Sequence, residues 1–467
     1  MTAVTTACER LRRVASFHEN KDLVAWWAAH VERAGAWITP QRRRQVLSLV
    51  SLVFLVTSVA RKDTAPDAQM ALPLSLRAIL GVPCVLGLLS LCYLGAVHFR
   101  RLPETLRRRP QIILHLLFWT LLVALWLTPN AEGLWRRLLV LVTLVLPFLL
   151  WRCGYLLKSG QRGKATATSL SDHLFYLWPV WRGSETPYGK GFDYLSRSEA
   201  QSAEAFARCQ LAGLKLLLLA QLWKAVMLLM RGVVYGDPHT PLAAVLHGYS
   251  LGTPRLPDLI NGTATASLLT AWISVYCDLI WNTLTIAVKG HRYIGVLRLC
   301  GFNVFRNTYK PLLAESVVEF WNRYYYYFKE LMVEFFFYPT FARYRTRPWL
   351  RTLLAIFAAA FVGNLYYHLI QQERLLVIGD FSGLWNLLHA RIFYCFLLAS
   401  GIYVSMLREQ GRRGQSAGAR GGVARRFLRI GGVWTFYGVI HIWNVGGGLA
   451  TFGQRTRFFL SLLALGE

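Results

Sequence analysis

The chain has 467 residues, of which 54% are hydrophobic and only 16% charged, yet its formal net charge is +28. A soluble protein of this length would usually spread charged residues over the surfaces of two or three domains. Here the apolar residues form long blocks, and arginine clusters lie between the blocks. Lysine and arginine beside apolar blocks are typical of membrane-protein loops near anionic lipid, so the charge does not indicate a nucleic-acid partner. The composition predicts an integral membrane protein.

The eight cysteines are scattered and include no Cys-x-x-Cys pair. They therefore predict neither a disulfide framework nor a zinc site. No cluster of histidine, cysteine and aspartate has the spacing of metal ligands, so we expect no metal centre.

The apolar blocks predict an all-α, polytopic membrane protein with about ten or eleven transmembrane helices. A bilayer core of ~30 Å requires about 20 apolar helical residues per crossing. Only helices and closed barrels satisfy their backbone groups in lipid, and these blocks lack the period-two alternation of barrel strands. Residues 1–45 are predicted to form a basic cytoplasmic or interfacial segment, and residues 46–467 a single transmembrane domain. The predicted crossings are residues 46–60, 78–99, 112–127, 138–151, 211–230, 264–288, 352–370, 384–407 and 430–445, with a shorter piece at 458–465.

The distribution of basic residues predicts the orientation. The N-terminus is basic, and basic connections alternate along the chain with connections that contain few lysines or arginines. Basic connections stay in the cytoplasm, so the N-terminus is predicted to be cytoplasmic. The basic connections are residues 100–109, 152–164, 289–310 and 408–429, and the others include 63–69 and 373–380.

Residues 316–338 do not fit this alternation. The segment is apolar and aromatic, but basic residues flank it on both sides. We therefore predict a segment that enters the membrane and returns, or a broken helix surrounded by protein. Glu319 and Arg323 are four residues apart, as are Glu330 and Glu334, so each pair shares a helical face. Taken alone, the first pair is best interpreted as a structural ion pair in an amphipathic helix.

A histidine lies near the end of the predicted crossing 352–370. His368 is a candidate general base because an imidazole titrates near neutral pH. On residue type alone, a lone membrane histidine is more often a hydrogen-bonded core residue. His115 and His441 also lie in apolar blocks and are predicted to be core or pore-lining residues.

The order of these features resembles the membrane-bound O-acyltransferase (MBOAT) family, in its bacterial branch that modifies cell-envelope polymers and exopolysaccharides. The resemblance covers the second half of the chain, and the shared order of degenerate motifs carries it. Asn307 and Pro311 match the family's approach to its characteristic helix, and the later motifs follow in the family's order. These motifs are Phe320-Trp321, Tyr324-Tyr325, Tyr338-Pro339, the stretch Gly363 to His368, and the stretch Gly383 to His389.

The resemblance implies an acyltransferase whose helices surround a central tunnel in a bacterial inner membrane. His368 corresponds to the family's catalytic histidine. The family's second polar position corresponds to Tyr325, whose phenol cannot act as a base at neutral pH. Asn322, one helical turn away, is the candidate substitute. The remaining implied residues bind substrate: Glu319, Trp321, Arg323, Asp278 and Asn307.

The resemblance also implies the substrates and partners. The donor is an acyl thioester of coenzyme A or of an acyl carrier protein, and no tightly bound cofactor is expected. The acceptor is a hydroxyl of a cell-envelope polymer or of a lipid-linked molecule. The implied partners are membrane lipids, the acyl carrier on the cytoplasmic side, and a periplasmic accessory protein.

A second hypothesis is a transporter, or a non-catalytic membrane scaffold with the same fold. It would use the pairs Glu319/Arg323 and Glu330/Glu334 for structure or for substrate passage. The tyrosine at position 325 favours this hypothesis, whereas the histidine at position 368 favours the enzyme.

Overall fold

The computed structural model describes most of the chain as helix. Its described residues contain no β-strand, and one isolated bridge joins Glu199 to Phe302. The all-α prediction is therefore confirmed. The described residues are 16–33, 35, 39–60, 73–129, 133–165, 168–174, 190–241, 249–344, 347–412, 422–446 and 450–465, without the side chains of residues 148 and 412.

Twenty α-helices lie in these described ranges. Three π-helical segments, Met230–Val234, Val333–Phe337 and Phe357–Gly363, continue or connect them. The helices are α1 Lys21–Arg33, α2 Pro40–Ala60, α3 Leu74–Val97, α4 Glu104–Arg108, α5 Ile112–Leu127, α6 Leu134–Gln161, α7 Leu170–Leu174, α8 Phe192–Ser198, α9 Ala203–Leu229, α10 Leu256–Asn261, α11 Leu268–Leu299, α12 Val317–Tyr324, α13 Tyr326–Met332, α14 Tyr338–Arg343, α15 Pro348–Ile356, α16 Asn364–Ile370, α17 Glu373–Ile378, α18 Phe381–Arg412, α19 Val423–His441 and α20 Phe452–Ser461.

Several helices are long and apolar enough to cross a membrane. Within the described residues, six pass this test, and a seventh passes if the bent α6 is taken as one span. The six are Pro40–Ala60, Leu74–Val97, Ala203–Val234, Leu268–Leu299, Pro348–Ile370 and Phe381–Gly411. Length and composition thus support an integral membrane protein. The count of ten or eleven crossings, the surrounding tunnel and the orientation stay predictions, and the connection 63–69 lies outside the described residues.

Two helices are longer than the apolar windows that predicted them. Most of the predicted crossing 264–288 lies in α11, which begins at Leu268 and continues to Leu299, and the crossing 384–407 lies within α18. In both, the helix continues through polar and basic residues that hydropathy excludes. Hydropathy locates the part of a helix that fits in lipid, but capping and packing set where the helix ends.

The chain forms two compact units. The first comprises residues 1–220 and 290–306, and the second comprises residues 221–289 and 307–467. The prediction of a single transmembrane domain from residue 46 onward stays a prediction.

In the first unit, α1 packs on the chain rather than standing alone. Val24, Ala28 and Val31 are buried along one side of the helix. The Trp27 indole donates a hydrogen bond to Gln210 at 2.7 Å, whereas Trp26 is more than half exposed. Trp26, rather than Trp27, is therefore the exposed tryptophan of this helix. Residues 1–15 of the predicted N-terminal segment lie outside the described residues.

Helices α3 and α6 approach so closely at Gly160 that no side chain fits there. A Cβ atom at Gly160 would lie 2.5 Å from the backbone oxygen of Ala96 and 2.7 Å from its Cα. Backbone atoms cannot rotate away as a side chain would. Small residues permit this kind of close approach between helices in membrane proteins.

We expect Gly160→Ala to destabilise the protein, because the two helices would have to separate. Overpacking of this kind costs roughly 1–3 kcal/mol. The measurement is thermal unfolding of the purified protein in detergent. Gly87→Ala in α3 is the matched control, since a Cβ atom there meets nothing within 4 Å. Equal melting temperatures for the two variants would contradict the close approach.

His173 in α7 is buried in the first unit. Its Nε2 lies 2.8 Å from the Thr168 hydroxyl, and the rings of Tyr93 and Phe192 pack on either side at 5.5 and 5.7 Å. Burial lowers the pKa of His173 from its ordinary value of 6.5 to about 4, although nearby Asp172 acts in the opposite direction.

The lowered pKa predicts acid sensitivity. Between pH 6.5 and 4 the unfolded chain binds a proton that folded His173 excludes, so this contribution to stability is complete above pH 6.5 and is lost as pH falls. At pH 4.5 the loss relative to pH 7.5 is about 2–3 kcal/mol. We expect His173→Gln to show a smaller decrease in melting temperature between these pH values than wild type. Parallel pH profiles would contradict the assignment.

The second unit has two hydrophobic clusters. One is centred on Val275, Ile442 and Trp443, and the other on Phe320, Leu398 and Tyr437. Arg455 of α20 is 1% exposed and donates to the backbone carbonyls of Ile442 at 2.5 Å and Val445 at 2.7 Å. Its guanidinium thereby satisfies carbonyl groups in the turn that follows α19.

Candidate functional site

The segment 316–338 contains a helix break at Tyr325. Helix α12 ends at Tyr324 and α13 begins at Tyr326, while Tyr325 has φ −145° and ψ 68°. A break leaves backbone N–H and C=O groups without helical partners, which is costly in a buried or apolar setting. The prediction of a broken helix is consistent with this geometry.

A non-helical stretch of chain, residues 307–309, satisfies the backbone at the break. The Tyr309 N–H donates to the Arg323 carbonyl at 2.8 Å, and the Thr308 hydroxyl donates to the Tyr324 carbonyl at 3.0 Å. On the other side, the Tyr326 N–H donates to the carbonyl of Asn307 at 2.9 Å. Groups on both sides of the break are therefore hydrogen-bonded.

Asn307 contributes its side chain as well. It is fully buried, and its Oδ1 accepts a hydrogen bond from the Tyr327 N–H at 3.1 Å. Its Nδ2 is buried without a hydrogen-bond partner among the described residues. Asn307 was predicted to bind substrate, but its visible contacts hold the start of α13.

Two π-helical segments pack against each other near this break. They are Val333–Phe337, which follows α13, and the seven-residue segment Phe357–Gly363, which leads into α16. A Cβ atom at Gly363 would lie 2.7 Å from the ring of Phe336, so only glycine allows this contact. π-Helical segments are rare and occur frequently at functional sites.

His368 lies in α16, one turn beyond the second π segment. It is half-buried, and the described residues offer its imidazole no hydrogen-bond partner. The neighbouring Tyr367 packs edge-on against Phe328 at 4.8 Å, and Phe328 stacks on Tyr325 at 5.3 Å. A continuous aromatic contact therefore joins the helix break to the turn that carries His368.

Arg391 of α18 is the charged residue whose electrostatic field reaches His368. Its Nε donates to the Oδ1 atom of Asn444 at 3.1 Å, which fixes the plane of the guanidinium. The two terminal nitrogens have no hydrogen bond to the described residues. Arg391 was not among the residues predicted from the sequence. Its position inside an apolar helix could have identified it, because a charged residue in a membrane segment usually marks a function or a buried pair.

Two of the predicted residues of α12, Glu319 and Asn322, line a cleft whose lining does not include His368. Glu319 and Arg323 form the predicted ion pair, and the Glu319 carboxylate also accepts from the Glu315 N–H at 2.7 Å. Asn322 is exposed and lines the same cleft as Glu319. Trp321 instead packs on the Phe320 cluster. No hydrogen bond or ring contact among the described residues joins Asn322 to His368, so the geometry offers no support for Asn322 as a catalytic partner.

Asp278, predicted to bind substrate, is paired with His441. Asp278 lies on α11 and His441 is the last residue of α19, and their side chains are only 14% and 11% exposed. The His441 Nε2 lies 2.9 Å from the Asp278 Oδ2, although the contact does not have the angles of a hydrogen bond. A carboxylate beside an imidazole inside a membrane bundle is a candidate site for handling protons.

Further polar contacts surround this pair. The Tyr276 and Thr435 hydroxyls are 2.9 Å apart and link α11 to α19. One turn from Asp278, the Asn282 amide donates to the Tyr324 hydroxyl at 2.9 Å, beside the helix break. Asp278 thus belongs to a polar interior that reaches α12, although its closest partner was not predicted.

Within the described ranges, no group of three or more histidine, cysteine, aspartate or glutamate residues could hold a metal ion. A scan of the chain against protein-family models finds no matching family, and a search of curated proteins finds no significant match. The resemblance to membrane-bound O-acyltransferases therefore remains a hypothesis that rests on the motifs.

Proposed function

We propose that the protein is a membrane-bound acyltransferase in which His368 is the general base. It moves an acyl group from a thioester to a hydroxyl of a cell-envelope polymer or a lipid-linked acceptor. The observation that carries this proposal is the position of His368, which follows a π segment and lies within electrostatic range of the Arg391 guanidinium. The order of the sequence motifs adds independent support.

His368 and Arg391 have different roles in the proposed reaction. His368 removes the proton of the acceptor hydroxyl as that oxygen attacks the thioester carbonyl. The tetrahedral intermediate carries a negative oxygen, and the free terminal nitrogens of Arg391 suit its stabilisation. Collapse of the intermediate breaks the carbon–sulfur bond, and the thiolate leaves with the proton from His368. Tyr325 contributes packing through Phe328 and Tyr367 rather than base chemistry.

The proposal includes the cellular setting. The protein lies in the bacterial inner membrane with its N-terminus in the cytoplasm, following the distribution of basic residues. Coenzyme A or an acyl carrier protein delivers the acyl group from the cytoplasmic side, where basic loops attract acidic carriers. A periplasmic accessory protein would present the polymer on the other side.

The test is acyl transfer by the purified protein in lipid vesicles, with labelled acetyl-coenzyme A and extracted cell-envelope polymer. We expect label to appear in the polymer and to be released by mild base, as an ester would be. Absence of transfer across a panel of acyl groups and carrier proteins would overturn the proposal.

A second candidate, a proton-coupled transporter, is favoured by the pair Asp278–His441. Carboxylate and imidazole groups inside membrane bundles mark proton pathways in pumps and transporters. Protein reconstituted in vesicles should then move protons when a solute gradient is applied, and Asp278→Asn should stop this movement. Acyl transfer that persists in Asp278→Asn would instead favour the enzyme.

A further inference from the structure

A groove lies between α18 and α19, beside the N-terminus of α12. Its volume is about 530 Å³. The groove is lined along its length by small or apolar residues, which include Val317, Leu397, Ser400, Gly401, Val404, Gly432 and Phe436. Val404 is 45% exposed on α18, one of the helices that can span a membrane. An exposed apolar wall on such a helix faces the acyl chains of lipids.

One end of the groove is charged. A second cleft of about 890 Å³ shares the residues Glu315, Ser316, Glu409 and Arg429 with the groove and adds Glu319 and Arg426. Together with Arg408, these linings contain three arginines and three glutamates. The combined site therefore has an apolar body and a charged head.

Most of these charges are already paired. Glu315 contacts Arg426 at 3.0 Å and Arg429 at 2.7 Å. Glu319 is paired with Arg323. The pairs of Glu315 with Arg426 and Arg429 join the start of α12 to α19, whereas the pair of Glu319 with Arg323 lies within α12.

Arg408 and Glu409 are the exceptions. The described residues offer neither of them an ion-pair partner, and both line the groove. Glu409 is held in place because its Oε1 accepts a hydrogen bond from the Ser316 hydroxyl at 2.5 Å. Ser316 is itself fixed as the N-cap of α12, where its oxygen accepts from the Glu319 N–H at 3.1 Å. A positive and a negative group therefore stand side by side at the head of an apolar groove.

We propose that this groove binds phosphatidylethanolamine, a phospholipid with a zwitterionic amine headgroup. The phosphate pairs with Arg408, the ammonium donates hydrogen bonds to Glu409, and one acyl chain lies between α18 and α19. A purely anionic lipid would satisfy Arg408 but would place negative charge beside Glu409. The headgroup that matches both charges is zwitterionic and carries N–H donors.

The experiment measures retained lipid by native mass spectrometry after reconstitution of the full chain in phosphatidylethanolamine or phosphatidylglycerol. We expect wild type to retain phosphatidylethanolamine at least tenfold better than phosphatidylglycerol. Glu409→Gln should remove this preference, since the amide still accepts from Ser316 but no longer attracts the ammonium. Equal or stronger retention of phosphatidylglycerol by wild type would overturn the proposed headgroup.

A steric variant tests the location. Gly432 lines the groove, and a Cβ atom there meets nothing within 4 Å, so Gly432→Trp should place an indole in the groove without a backbone clash at Cβ. Gly431→Trp is the matched control, because that position is also open but does not line the groove. We expect only Gly432→Trp to lose phosphatidylethanolamine. Undiminished retention by folded Gly432→Trp would show that the lipid binds elsewhere.

Discussion

Replacing His368 by alanine is expected to lower the rate of acyl transfer by about 10²- to 10⁴-fold, the usual contribution of a positioned general base. The protein should still fold, because the described residues provide no hydrogen bond that the imidazole would lose. The measurement is the initial rate with labelled acetyl-coenzyme A, with melting temperature recorded in parallel.

His389→Ala is the matched control for this prediction. His389 lies on the first turns of α18, and its Nδ1 contacts the backbone oxygen of Trp385 at 2.9 Å. We expect this variant to keep its transfer rate within a few-fold of wild type. If His368→Ala retains full activity, another group must accept the proton, whereas equal losses in both variants would point to a general effect on folding.

The second large effect is expected at Asp278 and His441. Substituting His441 by leucine leaves the Asp278 carboxylate mostly buried without its partner, and removing one member of a buried pair costs roughly 3–5 kcal/mol. Asp278→Asn keeps the shape of the side chain and should cost less. The measurement is the free energy of unfolding in mixed micelles.

A double variant measures the interaction between Asp278 and His441 separately from the contacts that each residue makes with its surroundings. Replacing both residues by leucine should recover part of the stability lost in His441→Leu, because no unpaired carboxylate remains. Thr435→Val provides a reference without a charge change on the same helix, since it removes the hydroxyl contacts with Tyr276 and with the Gly431 carbonyl and should cost about 1 kcal/mol. Additive losses in the double variant would show that the two residues do not interact.

The features predicted correctly depend on local composition. Helix α5 has the bounds of the predicted crossing 112–127, because a uniformly apolar run lies between charged or proline-containing flanks. Basic residues on both sides of 316–338 predicted that this segment is not a simple crossing. They did not predict the position of the break at Tyr325, because that position depends on hydrogen bonds to residues 307–309.

The contacts within the candidate site could not be predicted from the sequence, because they depend on how the helices pack. His441 and Asp278 are far apart in sequence, and each lies in an apolar block where any of several partners was conceivable. The role of Arg391 likewise depends on how α18 passes α16. Motif order selected His368 and Asp278, but it assigned Asn307 to substrate, whereas its visible hydrogen bonds support the helix break.

The stretch 307–309 determines how the break at Tyr325 can move. A helix break with unpaired amides would act as a hinge, but here the amides of Tyr326 and Tyr327 donate to Asn307. Their exchange with solvent deuterium should therefore be as slow as in the interior of a helix. The two half-helices should therefore meet at a rigid corner rather than at a hinge.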